Sequence, residues 1–217
     1  MVFYNSEDIQ IPKTKKFLES IYDSKSAQDT HTLYRDWAKS YEEELISNEY
    51  VTPFRCAEAL DRQLTDKKCN ILDLGCGTGL LGRELQTLGY KNIDGIDFSN
   101  EMLEYAKETM IYRKLSREDL NSLYSIKSSP YDAVIAVGII SPSHANPDTI
   151  NLGISALKSN GIMIFSFNDH ALNDKSYMRK IQELKNQINV EFLEESYGNH
   201  IKKLNLNATV YVIQKLD

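Results

Sequence analysis

The feature that most constrains this chain is ILDLGCGTGLLGREL, residues 71–85. Strand-forming residues run into glycines at 75, 77 and 79, and a helix-like segment follows. Glycine suits backbone that must turn with positive φ or lie against another group. The pattern predicts a strand, a tight loop and a helix whose amino end turns backbone N–H groups toward the loop. In open α/β sheets, ligands bind outside the carboxyl ends of the strands, where this loop would sit.

The rest of the chain supports such a sheet. From Cys69 onward, short apolar runs alternate with amphipathic segments, the grammar of βαβ units. Strands are expected at 70–74, 92–96, 131–140 and 162–167, with a short strand-like IYRKL at 111–115. YDAVIAVGII (131–140) is apolar on both faces, as a central parallel strand should be. A helix should run from Leu80 to Leu88 and end at Gly89. Ser99 can cap the next helix, which carries Met102, Leu103 and Ala106 on one face. Residues 176–188 read as an amphipathic helix with Ile181, Leu184 and Ile188 on one side. The final runs, 190–197 and 208–216, have no helix between them and should pair antiparallel. The first 65 residues read as helices.

Bulk properties narrow the class. At 217 residues one domain is expected, with 1–65 as a helical extension and 66–217 as the core. The net charge of −6 argues against a broad surface for nucleic-acid phosphates. The basic run at Lys13, Lys15 and Lys16 is short and reads as solvated. Cys56, Cys69 and Cys76 form no CxxC pair, and no His sits at metal spacing from them. A reducing compartment and no metal are the expectation. The amino terminus lacks a signal-peptide core, and no apolar run approaches the roughly 20 residues that span a bilayer. The expected location is cytoplasmic or nuclear, without a membrane.

Two ligands compete for the glycine loop. Gly77, Gly79 and Gly82 spell the dinucleotide pattern GxGxxG. In that pattern the first glycine ends the strand. Here Gly75 does so, and counting from it puts Leu80 where the third glycine belongs. Asp73 would also repel a pyrophosphate, and it suits a cationic ligand.

Asp73, Gly75, Gly77 and Gly79 resemble the first motif of class I S-adenosylmethionine-dependent methyltransferases. HTLYRDWAKSYEEEL (31–45), YVTPFRCAEAL (50–60), GIDFSNEMLEYAKE (95–108) and YDAVIAVGII look like one small group within them. That group is the methyltransferase-like family named after the Williams–Beuren syndrome region. The similarity covers roughly residues 30 to 170, and Ser159-Asn160-Gly161 replaces the group's usual Pro-Gly-Gly.

The resemblance implies a Rossmann-like α/β fold. Its sheet would be seven-stranded and mostly parallel, with an antiparallel carboxy-terminal pair and an amino-terminal helical cap. It implies S-adenosyl-L-methionine as cofactor and S-adenosyl-L-homocysteine as product. The loop, with Cys76 and Thr78, would pass the methionine part, and Asp73 would help bind its amino group. Asp97 lies 22 residues beyond Gly75 and would take both ribose hydroxyls, as two carboxylate oxygens can. Phe98 would lie near the adenine, beside Ser99 and Met102. Asp119, preferred to Glu118, and the Leu120 backbone would read the adenine edge. Val137 and Gly138 would line the cofactor or acceptor cavity.

Tyr34, Trp37 and Tyr41 share one helical face at i, i+3 and i+7. Spacing alone fits core packing. The resemblance implies instead that Tyr34 and Tyr41 touch the cofactor while Trp37 lines the pocket or packs beneath it. Aromatic faces also suit a sulfonium.

The cofactor's methyl is already activated, so no catalytic triad is expected. The Asn/Asp-Pro-Pro-aromatic tetrad of enzymes that methylate base amines is absent after the fourth strand. That favours a small-molecule acceptor, with nucleic acid not expected and a monomer or weak dimer. His144 is a possible acceptor-side base that could equally be a bystander. Tyr50 and Arg55 are weaker acceptor-side candidates, with a surface salt bridge the plainer role for Arg55. The alternatives are a protein or peptide methyltransferase, a non-catalytic cofactor-binding protein, and a dinucleotide-linked oxidoreductase.

Overall fold

The computed structural model describes residues 40–122, 126 and 131–217. Among them, seven strands form one sheet in the order β3-β2-β1-β4-β5-β7-β6. The strands are β1 (Ile71–Leu74), β2 (Ile93–Asp97), β3 (Lys114–Arg117), β4 (Tyr131–Ala136), β5 (Leu157–Asn168), β6 (Val190–Ile201) and β7 (Leu206–Lys215). β3, β2, β1, β4 and β5 are parallel neighbours. β7 pairs antiparallel with both β5 and β6. The strand order reverses between β1 and β4, which makes their carboxyl ends the switch point where ligands bind.

The helices are α1 (Tyr41–Ser47), α2 (Thr52–Gln63), α3 (Leu80–Thr87), α4 (Asn100–Glu108), α5 (Thr149–Ala156), α6 (Asp169–Leu172) and α7 (Lys175–Lys185). Strand alternation divides the core between the two sheet faces. Ile162 and Ile164 of β5 join Ala133, Ile135, Val210 and Val212 against α2 and α3, through Cys56, Leu60, Leu81 and Leu85. Met163, Phe165 and Phe167 point the other way, toward Ile150, Tyr177, Ile181 and Leu184 of α5 and α7. Phe165 stacks on Tyr211 with ring centroids 5.1 Å apart. α2 is therefore a full member of one packing layer. α1 lies further out, with Leu45 buried against Ile201 and Tyr41 close by. Arg83 of α3 holds it by a 2.7 Å ion pair with Glu42.

Several sequence expectations shift. β4 ends at Ala136, not at residue 140. Gly138 turns with φ +70° and donates its N–H to Ser166 Oγ at 2.9 Å, so the chain leaves the sheet there. Ile139 and Ile140 are apolar because they pack on neighbouring parts, not because they extend the strand. β3 begins at Lys114, and Ile111 serves the core beside α3 instead. β5 begins at Leu157, with residues looped out before Ile162 resumes pairing with Ala133. Helix α7 stops at Lys185, leaving Ile188 97% exposed and off the face of Ile181 and Leu184.

Among the described residues Arg55 forms no salt bridge, and it lies outside the cavity wall described below. Its guanidinium donates to the carbonyls of Ser196 (2.6 Å), Asn199 (2.8 Å) and Ala208 (3.0 Å). It thereby ties α2 to the β6–β7 hairpin.

Candidate functional site

The glycine loop is shaped by two different demands. Gly75 turns with φ +80°, and a Cβ there would fall 2.6 Å from Ile139 Cγ2, so the loop presses on the chain leaving β4. Its N–H and that of Cys76 both donate to Ile96 O, at 2.8 and 2.9 Å. Gly77, with φ +53°, is the opposite case: a Cβ would meet nothing within 4 Å. It opens into a cavity, so a side chain there would occupy ligand space. Gly79 starts α3 with φ +97°.

Asp97, at the carboxyl end of β2, joins two loops. One oxygen accepts from Gly77 N–H and the other from Ser99 N–H, each at 2.9 Å. Ser99 Oγ in turn accepts from Met102 N–H at 3.2 Å and caps α4. A carboxylate oxygen can accept more than one hydrogen bond.

Asp73 is 1% exposed, and burial pushes its carboxyl up to about 7. The Tyr112 hydroxyl donates to it at 2.7 Å and opposes that rise, while the nearby Asp97 charge adds to it. Tyr112 fits only because its neighbours are small. A Cβ on Gly82 would lie 2.6 Å from the Tyr112 hydroxyl, and one on Gly95 would lie 3.0 Å from its ring. Gly82, the last glycine of the apparent dinucleotide pattern, thus makes room for a tyrosine. Sequence reasoning missed Tyr112, reading it as part of a short strand.

Asp73, Asp97 and residues 75–78 of the glycine loop border a cavity of about 970 Å³, counting its open mouth. Its size lies at the upper end of small-ligand sites. Of the residues singled out from sequence, Tyr41, Asp73, Gly75, Cys76, Gly77 and Thr78 line it, as do Asp97, Phe98, Met102, Asp119, Leu120 and Val137. Gly79 and Ser99 do not line it; they start helices. Glu118 is not in the wall, and its N–H donates to Asp97 O. Tyr34 and Trp37 lie outside the described residues. Pro53, Leu80, Leu81, Asn121, Ile139, Ser143 and Ala145 complete the lining with no local sequence signal to mark them.

The cavity continues to Tyr50, Gly138 and His144. Tyr50 is held by an edge-on contact with the His200 ring, centroids 5.1 Å apart, and by a bridge to Ile201. A Cβ on Gly138 would reach 2.5 Å from the Tyr50 hydroxyl, so these two groups share one tight wall. His144 Nδ1 lies 2.9 Å from both Ser141 Oγ and Ser143 Oγ. Burial pushes its imidazole down to about 4.

The chemistry of this lining fits a cation that also carries hydroxyls. Among the described residues, its formally charged side chains are Asp73, Asp97 and Asp119, with no Lys or Arg. Thr78 lines it with a buried Oγ1 that has no hydrogen-bond partner, which a polar ligand group can satisfy. S-adenosylmethionine has an ammonium, a sulfonium and a ribose diol, and it matches that set. No cluster that could hold a metal occurs among the described residues. No helix among them is long and apolar enough to cross a membrane.

Comparison with known proteins agrees. The family described as a methyltransferase domain matches residues 65–211. Human methyltransferase-like protein 27 is 33% identical over 133 residues, covering 56% of this chain and 52% of that protein. Malonyl-[acyl-carrier protein] O-methyltransferase of Halalkalibacterium halodurans is 32% identical over 121 residues, covering 52% of this chain and 45% of that one. The chain thus spans about half the length of these curated relatives. Among solved structures, an S-adenosyl-L-methionine-dependent methyltransferase from Methanococcus maripaludis superposes with TM-score 0.62 at 15% identity, over 86% of this chain and 94% of that one. Magnesium protoporphyrin IX methyltransferase from Synechocystis, solved with S-adenosylmethionine bound, gives TM-score 0.56 at 17% identity, over 76% and 80%. Such distant matches carry the fold, while the family match spans the glycine loop, β1 to β6 and the first part of β7. The chain therefore belongs to the methyltransferase-domain family.

Proposed function

We propose that this chain moves the methyl group of S-adenosylmethionine to a small-molecule acceptor by in-line displacement at carbon. The observation that carries this reading is the single cavity. It holds the carboxylates of Asp73, Asp97 and Asp119 and, in the same lining, Tyr50, Gly138 and His144. When bound, the cofactor supplies a methyl already activated on a sulfonium.

The chain's own residues bind, orient and exclude water. Asp97 would accept from the ribose hydroxyls, and Asp73 would offer a carboxylate to the ammonium. Thr78 Oγ1 supplies a buried polar atom beside the open face of Gly77. Asp119 and the Leu120 backbone, both in the lining, would read the adenine edge. Tyr41 enters the wall from α1. Residues 1–65 would then contribute a cover from the segment before α2. Holding the acceptor in line with the methyl is the main catalytic task, since orientation alone is worth about 7–11 kcal/mol in well-placed reactions.

A small acceptor is favoured over a protein or peptide because Tyr50, Gly138 and His144 belong to the same cavity as the three carboxylates. The relatives' names do not choose: they include an acyl-carrier-protein O-methyltransferase, a ribosomal protein L11 methyltransferase and an 18S rRNA methyltransferase.

Calorimetry with S-adenosylmethionine, its demethylated product and NAD tests the cofactor site. The first two should bind and NAD should not. Asp97→Ala should weaken binding by about 1.5–3 kcal/mol, the worth of hydrogen bonds to a charged group. Tritiated methyl transfer into a cell extract, separated by size, should label the small-molecule fraction. Label confined to protein would overturn the acceptor class.

A further inference from the structure

A small-molecule acceptor still needs somewhere to put its proton. Methylating an uncharged hydroxyl oxygen requires that its proton leave as the new C–O bond forms.

His144 is the one imidazole lining the cavity among the described residues. Its Nδ1 faces two serine hydroxyl oxygens at the same distance, 2.9 Å, and those oxygens are 3.5 Å from each other. A ring nitrogen in neutral imidazole carries either one lone pair or one hydrogen. A single lone pair serves one donor well, whereas one N–H can be shared by two oxygen acceptors in a three-centre bond. The serine pair therefore favours hydrogen on Nδ1, which puts the ring's lone pair on Nε2. The support is rigid. Ser141 is 2% exposed, and His144 N–H donates to Ser141 O at 2.9 Å. Ala145 N–H donates to Ile139 O at 2.9 Å, closing the loop around the serines.

We propose that His144 is the acceptor-side general base of this chain, that Ser141 and Ser143 position its ring, and that the acceptor is an uncharged hydroxyl compound. This rests on the methyl-transfer reading above. In the step, a lone pair of the acceptor oxygen forms the C–O bond while the methyl–sulfur bond breaks and its electron pair stays on sulfur. The hydroxyl proton passes to His144 Nε2. The products are a methyl ether, the neutral thioether and an imidazolium.

Charge supports the assignment. The positive charge that leaves sulfur ends on the imidazole, inside a cavity whose formally charged lining is carboxylate. The cavity therefore holds one cation before and after the step. A carboxylate or phosphate acceptor would instead meet Asp73, Asp97 and Asp119 with no Lys or Arg among the described lining residues. Burial keeps the ring neutral at physiological pH, ready to accept. Its weak basicity suffices, because an oxygen gaining a third bond becomes strongly acidic.

The first test is the tautomer. In the histidine-¹⁵N-labelled chain with S-adenosylhomocysteine bound, long-range ¹H–¹⁵N correlations should show His144 protonated at Nδ1 and bare at Nε2. Protonation at Nε2 would overturn the proposal. The second test uses tritiated S-adenosylmethionine with catechol, phenol, cyclohexanol, aniline and benzoate as probes. Label should enter hydroxyl probes, and His144→Gln should lower that rate at least ~100-fold, the lower end of general-base contributions. Cofactor affinity by calorimetry should stay within about twofold of wild type, as expected for a group that acts on the acceptor alone. A Ser141→Ala, Ser143→Ala pair should shift the tautomer toward Nε2–H as well as slow transfer, a result that loss of packing alone would not give. Cofactor binding with label only in benzoate or aniline, with no label in any hydroxyl probe, or with an unchanged His144→Gln rate would refute the base and leave the cofactor site standing. Failure of the wild-type chain to bind the cofactor would bring down both.

Discussion

At the scale of the residue, the site is built from groups that oppose their own solvation. Asp73 is buried, and its ionised form is disfavoured until something compensates. Tyr112 supplies one hydrogen bond, and a ligand ammonium would supply an opposite charge. The sign follows. In the free protein the carboxyl is raised to about 7, so it is largely protonated below that value. An ammonium favours the carboxylate, so binding below about 7 releases a proton. Affinity for S-adenosylmethionine should rise toward tenfold per pH unit as pH climbs to about 7, then level off. Asp73→Asn should bind more weakly and flatten this dependence. Calorimetry from pH 5.5 to 8.5 checks it, and an unchanged slope in the variant would remove Asp73 from the account. Asp73 and Asp97 were legible in the sequence because each lies a fixed short step from a glycine turn or a strand end. Tyr112 was not: its partner is 39 residues away, and the space it fills is made by glycines of α3 and β2.

At the scale of the element, pattern reading succeeded where periodicity and length agreed. The first strand and the helix after its loop came through within a residue of their bounds, and Ser99 caps the next helix as expected. Residues 137–140 misled because an apolar run looks alike in a strand and in a loop that packs on its neighbours. Here Gly138 breaks the strand, and the freed segment carries Val137, Ser143 and His144 across the strand ends. Arg55 misled differently. From sequence it is a cation on a helix; in the fold its partners are three carbonyls of a hairpin more than 140 residues later. Burial lowers its pKa, the signature of a guanidinium taken partly out of water. Arg55→Ala should leave those carbonyls to solvent and destabilise the fold by about 1.5–3 kcal/mol, the range for hydrogen bonds to a charged group. Denaturant titration should show a lower midpoint at unchanged slope. Because Arg55 is outside the cavity wall, affinity for S-adenosylmethionine should stay near wild type; a selective loss of binding would give it the ligand role that the fold denies it.

At the scale of the whole molecule, the sheet topology was readable because helices between parallel strands leave few alternatives. The cavity was not, since its wall is drawn from α1 to α4, the glycine loop, the ends of β1 and β2, and the segments after α1, β3 and β4. Hydrogen bonds already tie parts of this wall together, through Asp97 to Gly77 and Ser99, and through Asn121 to His144 O and Asn146. A ligand in the shared cavity would touch several elements at once and should stabilise the chain as one unit. At one hundred times its dissociation constant, a ligand that binds only the folded state adds about 2.7 kcal/mol. For a chain of this size each kcal/mol raises Tm by roughly 2–4 °C, so S-adenosylhomocysteine should shift a single transition by about 5–10 °C. NAD at the same concentration should leave it in place. A thermal scan that splits in two, with only the later transition moving, would mean that the cofactor end and the acceptor wall unfold independently. The cavity would then be two adjacent clefts, and the transfer geometry argued above would lose its basis.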